Sequence, residues 1–340
     1  MERELRIGVV GTGSIGRTHI ERIARRLRGG RVVAVSDINA PVAERIAGEY
    51  DCRFVADGHK LVQSDDIDAV VVATADTSHE EYVTSAIHAS KFVFCEKPLA
   101  PDRSGARRIV ESEMAGGRHL VQVGFMRRYD AGYRALKRLI DAKTYGEPLM
   151  AHCAHRNLEA RKDYTTSMVV ANTMIHEIDA LRWLLNEEYA SVEVKFPKTT
   201  RHAHSNLRDP QIMILTTESG VRIDVEAFVN CRYGYDIKCE ICCEDGILDL
   251  PQPSDVTVLT NGASVAPVAK DWSDRFMAAY DVELQEWINA SREGRVDGPT
   301  AWDGYVGSVT ATAALAAGEA QGVVVIEAEK CPEFYAAKPR

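Results

Sequence analysis

The hexapeptide Gly11-Thr12-Gly13-Ser14-Ile15-Gly16 follows the apolar run Leu5-Arg6-Ile7-Gly8-Val9-Val10 and opens a helix-patterned stretch from Ser14 to about Leu27. Glycines at this spacing let the backbone turn sharply and approach a pyrophosphate, which then rests against the unpaired N–H groups of a helix N-terminus. The six-residue pattern alone says little; its place between a strand and a helix gives it force. The same alternation continues, because residues 31–37, 69–74, 91–98 and 120–125 are further short apolar runs with helical stretches between them. Such runs belong to a parallel sheet covered on both faces, so residues 1–125 are expected to form a doubly wound α/β domain of the dinucleotide-binding, or Rossmann, type.

Asp37 ends the second run. That is the distance beyond Gly16 at which a carboxylate accepts hydrogen bonds from the adenosine ribose hydroxyls. A carboxylate there also repels a 2′-phosphate, and the neighbours Ile38 and Asn39 bring no cation, so NAD is favoured over NADP. Ile38, Thr74 and His79 join Gly11 to Gly16 and Asp37 as expected cofactor contacts. Cys95-Glu96-Lys97-Pro98 closes the fifth strand. Ligands of open α/β sheets bind beyond the carboxyl ends of the strands, so Glu96 and Lys97 are expected to project toward the nicotinamide end.

From about Pro148 onward the pattern changes. SVEVKFP, PQIMILTTESG and VRIDVEAFVN alternate as longer strands, with Ser219-Gly220 placed as a tight hairpin turn. Residues 126–340 are therefore expected to form an α+β domain with a largely antiparallel open sheet. Helices over 274–291 and 301–318 complete it, with room for the last helices to pack back on the first domain.

A net charge of −9, from 41 basic and 50 acidic residues, argues against general nucleic-acid binding. Arg22, Arg25, Arg26, Arg28 and Arg31 cluster on one amphipathic helix and its exit, where a solvated face is the expected reading. No apolar run is long enough for a membrane span, and MERELRIGVVG passes into a strand without a signal-peptide core, so a cytoplasmic location is expected. The eight cysteines show no disulfide-framework spacing. Cys239 and Cys242 lie three apart in a strand-like stretch and point to opposite faces, so no metal site is expected there, and His202 and His204 read as loop residues.

NTMIHEIDALRWLL, residues 172–185, carries the chemistry most open to question. At helical spacing Met174, Ile178, Leu181 and Leu185 form an apolar stripe, while Asn172, His176 and Asp179 face the other way. Amphipathic helices usually turn such a face to water. Trp183 continues the polar stripe, however, and a large ring is an uncommon choice for a freely solvated surface.

The glycine loop, Glu96-Lys97-Pro98 and the helix bearing His176 together resemble the glucose-fructose oxidoreductase / inositol dehydrogenase / rhizopine-catabolism (Gfo/Idh/MocA) family of nicotinamide-dependent sugar dehydrogenases. GFMRRYD (124–130), HRN (155–157), HEID (176–179), YGYDI (233–237), EDGI (244–247) and GPTAWDGY (298–305) resemble its inositol-oxidising branch, so the likeness extends over nearly the whole chain. It implies oxidation of myo-inositol at C2 to scyllo-inosose with NAD, in a homotetramer whose second-domain sheet makes the subunit interface. It assigns Lys97 to a hydrogen bond with the reacting hydroxyl and His176 to removal of its proton. It also assigns Arg127, His155, Asn157, Asp179 and Tyr235 to the polyol pocket and turns the polar face of the 172–185 helix to the active site. A neutral imidazole is well matched to taking a proton near neutral pH, and a polyol needs both donors and acceptors, which these five residues supply.

Asn172 departs from the family pattern, which carries aspartate four residues before the histidine. Three explanations stay open: a slower inositol dehydrogenase, a paralogue tuned to another cyclitol or sugar, and a variant with the acid removed. Two other functions compete, a non-catalytic NAD-binding sensor on the same fold and an enzyme that recycles a tightly held cofactor between two sugars. The second is expected to prefer NADP, which Asp37 disfavours.

Overall fold

The computed structural model describes residues 4–252, 256–327 and 329–336, so the first three residues of the N-terminal stretch lie outside the described ones. The chain divides into two compact units. One comprises Met1–Phe125 with Tyr280–Ser308 and Glu329–Arg340; the other comprises Met126–Ala279 with Val309–Ala328.

In the first unit the elements run β1 (Leu5–Val10), α1 (Ser14–Arg25), β2 (Gly30–Ser36), α2 (Ala40–Glu49), β3 (Arg53–Phe54), α3 (Gly58–Gln63), β4 (Ala69–Val72), α4 (His79–His88), β5 (Phe92–Glu96), α5 (Arg103–Gly116) and β6 (Val121–Gly124). The six strands form one sheet in the order β3-β2-β1-β4-β5-β6, and every neighbouring pair is parallel. Val70, Val71, Val72, Val93 and Phe94 are fully buried, which accounts for the lack of polar alternation in these strands. The strand order reverses at β1 and β4, the point where open α/β sheets take their ligands, and the glycine loop leaves β1 there.

One reading of the sequence fails in this unit. Arg22 is not solvated but only 1% exposed, because it stands three residues from His19 on the inner face of α1 and finds partners there. Its guanidinium donates to Asp281 at 2.6 Å and meets His19 Nδ1 at 2.9 Å.

The second unit contains α6 (Ala131–Asp141), β7 (Pro148–Arg156), α7 (Thr166–Met168), a π-helical segment (Val169–Met174), α8 (Ile175–Leu185), β8 (Tyr189–Lys195), β9 (Gln211–Thr217), β10 (Arg222–Phe228), β11 (Asp236–Cys243), β12 (Ile247–Asp249), β13 (Val258–Thr260) and β14 (Ala263–Val265). Beyond these come α9 (Trp272–Arg292) and α10 (Ala301–Ala320), each shared between the units, then β15 (Val324–Val325) in this unit and α11 (Glu333–Ala336) in the first. The main sheet runs β12-β11-β7-β10-β9-β8-β15 and is antiparallel except where β10 meets β7.

The expected hairpin joins β9 to β10, with Gly220 at φ +99 and its N–H donating to Thr217 O at 3.1 Å. Sequence reading missed β7, a central strand whose mixed residues PLMAHCAHR carry no long apolar run. Cys239 is buried and Cys242 half-buried, on opposite faces of β11, and all eight cysteines are free. Among the described residues no helix is long and apolar enough to cross a membrane.

The helix expected from Asn172 differs from the structure in two ways. Residues Val169–Met174 adopt the wider π turn, and regular α geometry begins only at Ile175, so the α-periodic face drawn through Asn172 breaks before it reaches His176. Such turns are frequent at functional sites. Residues 175–181 are moreover buried on every face, so α8 has no wet side until Arg182 and Trp183. The polar residues of this helix therefore need protein partners, and most of them have charged ones.

Candidate active site

The candidate cofactor-binding residues lie in the first unit, and the three glycines of the loop do different work. Gly11 has φ +95, and a Cβ there would lie 2.4 Å from Ala73 O on the neighbouring strand end. A Cβ at Gly16 would come within 2.0 Å of Gly11 O, so this position closes the turn against the helix. Gly13 is the opposite case: a Cβ would meet nothing within 4 Å, leaving open space beside the backbone. That is the cradle a pyrophosphate needs, and α1 starts immediately after it with no side chain capping its N-terminus.

Asp37 is fixed beside this loop. Its Oδ2 accepts from Thr12 N at 2.6 Å and Thr12 Oγ1 at 3.1 Å, and its Oδ1 accepts from Asn39 N at 2.8 Å. A carboxylate has about four acceptor positions, so capacity remains for ribose hydroxyls. Ile38 is fully exposed, an apolar surface next to that carboxylate. These features fit a dinucleotide whose ribose lacks a 2′-phosphate.

Thr74 and His79 lie just beyond β4. The buried His79 ring spans two carbonyls, with Nδ1 2.7 Å from Pro98 O and Nε2 3.3 Å from Thr74 O. It ties the segment after β4 to the one after β5. Glu96 is also buried: its Oε1 lies 2.7 Å from His19 Nε2, and its Oε2 accepts from Lys97 N at 3.2 Å. Lys97 itself is half-buried at the carboxyl end of β5 and is followed by a cis bond to Pro98.

The candidate substrate-binding residues lie in the second unit, around the start of α8. His176 is 7% exposed, and its ring centre lies 6.2 Å from that of His155 on β7. His155 Nδ1 is 3.0 Å from an Arg127 amine and 3.1 Å from Glu177 Oε2. Arg127 pairs directly with Glu177, and both are almost wholly buried. Burial pushes the Glu177 carboxyl upward, but the charge of Arg127 and the bonds from Arg127 and His155 overcome it and hold the carboxyl down at about 2.

Tyr235 meets the His155 ring edge to face at 5.7 Å, and burial pushes its hydroxyl up to about 12. Arg128 grips both oxygens of the buried Asp179, through Nε at 2.9 Å on one of them. Consecutive arginines thus take carboxylates two residues apart and clamp the first turn of α8, the turn that carries His176. Asn157 continues the β7 ladder by donating its N–H to Phe228 O at 3.0 Å, and Asn172 is half-buried in the π segment.

Glu177, Arg128 and His19 were not among the residues singled out in the sequence. His19 was the most legible of the three in the sequence, since it falls on the same helical face as Gly16, Ile20 and Ile23, which is buried. Arg127 and Asp179 were expected at a polyol; here both are engaged in buried ion pairs.

Comparison with known proteins agrees with this architecture. Residues 5–125 match the NAD-binding Rossmann fold of the GFO_IDH_MocA oxidoreductase family, and residues 137–325 match that family's C-terminal alpha/beta domain. The chain is 52% identical over 333 residues to an inositol 2-dehydrogenase of Pseudomonas savastanoi pv. phaseolicola, covering 97% of this chain and 99% of the relative. It is 51% identical, with the same coverage, to an inositol 2-dehydrogenase of Klebsiella pneumoniae. The crystal structure of myo-inositol dehydrogenase from Lactobacillus casei, in complex with NAD(H) and myo-inositol, superposes with a TM-score of 0.95 at 39% identity, covering 98% of this chain and 99% of that one.

Proposed function

Because the chain belongs to the Gfo/Idh/MocA oxidoreductase family, we propose that it oxidises myo-inositol at C2 to scyllo-inosose with NAD, the reaction of an inositol 2-dehydrogenase. The observation that carries this reading is identity at about half of the positions, over nearly the full length, to inositol 2-dehydrogenases, in a chain that keeps the glycine loop, Asp37, Lys97 and His176.

Bound NAD would be held by the loop Gly11–Gly16 and the N-terminus of α1 at its pyrophosphate and by Asp37 at its ribose. The chemistry it supplies is acceptance of a hydride from the carbinol carbon. His176 takes the proton of the reacting hydroxyl through its imidazole, and Lys97 donates a hydrogen bond to the same oxygen. A positioned general base of this kind is worth ~10²–10⁴ in rate. Arg127, His155, Asn157, Asp179 and Tyr235 belong to the polyol-binding segments. In this reading the buried pairs of Arg127 with Glu177 and Arg128 with Asp179 act chiefly by fixing α8 and so the direction of His176.

Asn172 keeps the hydrogen-bonding shape of aspartate without its charge. A dehydrogenase for another cyclitol, with Asn172 as the specificity change, is the second reading. The family likeness further supports a cytoplasmic homotetramer joined through the outer face of the seven-stranded sheet, where Met150 and Ile247 stand 43% and 64% exposed.

The test is NADH formation by purified protein with myo-inositol, scyllo-inositol, D-chiro-inositol and glucose. Turnover of myo-inositol above the others is expected. Preference for a different cyclitol would shift the conclusion to the second reading, and no turnover of any would contradict both.

A further inference from the structure

We propose that His19 is a positioning residue for Lys97, acting through Glu96 at the end of a polar relay that begins at the half-buried Asp281 and is buried from Arg22 onward. The inference rests on the functional reading above, and it goes beyond that reading by giving His19, Arg22 and Asp281 a part in the reaction.

All members of the relay lie in the first unit. Asp281 Oδ1 accepts from Arg22 Nε at 2.6 Å, and an Arg22 terminal amine donates to His19 Nδ1 at 2.9 Å. His19 Nε2 meets Glu96 Oε1 at 2.7 Å, and Lys97 N donates to Glu96 Oε2 at 3.2 Å.

The partners dictate the state of the imidazole. A guanidinium only donates, so Nδ1 must offer a lone pair; an ionised carboxylate only accepts, so Nε2 must carry the proton. His19 is therefore neutral with its proton on Nε2, in keeping with burial, which lowers its basicity. Glu96 is the charged end: burial pushes its carboxyl up, but the bond from His19 and the neighbouring Lys97 outweigh this and hold it below the ordinary range.

The ring has little freedom to leave this register. His19 is 0% exposed and packs edge-on against Phe94 at 5.6 Å and against Tyr280 at 5.8 Å, while Arg22 stacks over Tyr280 at 5.1 Å. Glycine at 124, the residue paired with Glu96 across β5 and β6, leaves room for the Phe94 ring that packs on His19: a Cβ there would lie 3.2 Å from Phe94 Cζ.

Lys97 is thus pinned on both sides. Glu96 holds its N–H, and His79 holds the carbonyl of the following Pro98. If the relay served only to join α1 to β5, apolar packing would do so without burying a charge. What the relay adds is a fixed origin for the Lys97 side chain and a fixed negative charge beside it.

The test compares the wild type with His19→Leu, His19→Asn and His19→Gln, reading kcat with myo-inositol, its pH profile, the Kd for NADH and the melting temperature. Glutamine offers a donor where Nε2 stood and an acceptor for Arg22; leucine offers neither, and asparagine is too short to reach Glu96. Leucine and asparagine should lower kcat by about 10 to 100-fold, the scale of a small misplacement of a reacting group, with Kd for NADH held. In both, the acidic limb of the profile should move to higher pH, because Glu96 has lost the donor that kept it ionised. Glutamine should restore kcat and the limb together.

Should leucine prevent folding, the contrast between asparagine and glutamine decides. Unchanged kcat and pH profile in asparagine or leucine would overturn the proposal, as would equal loss in asparagine and glutamine. A wild type that turns over no cyclitol would instead remove the functional reading, and the proposal with it.

Discussion

An amide at position 172 offers a carbonyl acceptor but no charge to stabilise an imidazolium forming at His176. A carboxylate partner that raises a histidine's pKa by about one unit changes the relevant equilibrium by about tenfold. Asn172→Asp is therefore expected to raise kcat for myo-inositol about tenfold, measured by initial rates at saturating NAD; a fall in rate would mark the asparagine as a specificity determinant. At this scale the sequence was informative where a backbone pattern enforced a residue. Gly11, Gly16 and Asp37 were legible because a turn and a strand end require them. Arg22 and Glu177 were not, since a lone charged residue reads as surface until its partner, distant in sequence, is known. Asp281 and Arg127 are those partners.

The first turn of α8 is held by buried charge. Arg127 takes Glu177 and Arg128 takes Asp179, on either side of the fully buried Ile178. The Glu177 carboxyl lies at about 2 in the folded chain against an ordinary 4.5, so folding favours its ionised form. Its contribution is complete above the unfolded value and is lost as pH falls from about 4.5 through about 2, amounting to about 3 kcal/mol. Thermal melts across this range should show a falling midpoint, and Glu177→Gln should flatten that slope while lowering stability at neutral pH by about 3–5 kcal/mol, since Arg127 is left buried without its charge partner. An unchanged slope in the variant would exclude Glu177 as the source. Elements with an apolar run or a clean alternation were read from the sequence, as β1 and β4 show for the first kind and the β9–β10 hairpin for the second. The π turn before α8 was not, because its residues satisfy the α period equally well.

At the scale of the whole molecule, the parallel sheet and the mixed sheet correspond to the two halves of the sequence pattern, the first without alternation and the second with it. In the proposed reaction hydride passes from C2 of myo-inositol to NAD while His176 takes the hydroxyl proton. The most direct measurement uses myo-inositol deuterated at C2, with mass analysis of the reduced cofactor and parallel runs of His176→Ala. One deuterium is expected in each NADH formed, and in the variant a rate lower by about 10²–10⁴ with NADH affinity retained. NADH without deuterium, or a variant as fast as the wild type, would contradict the proposed reaction.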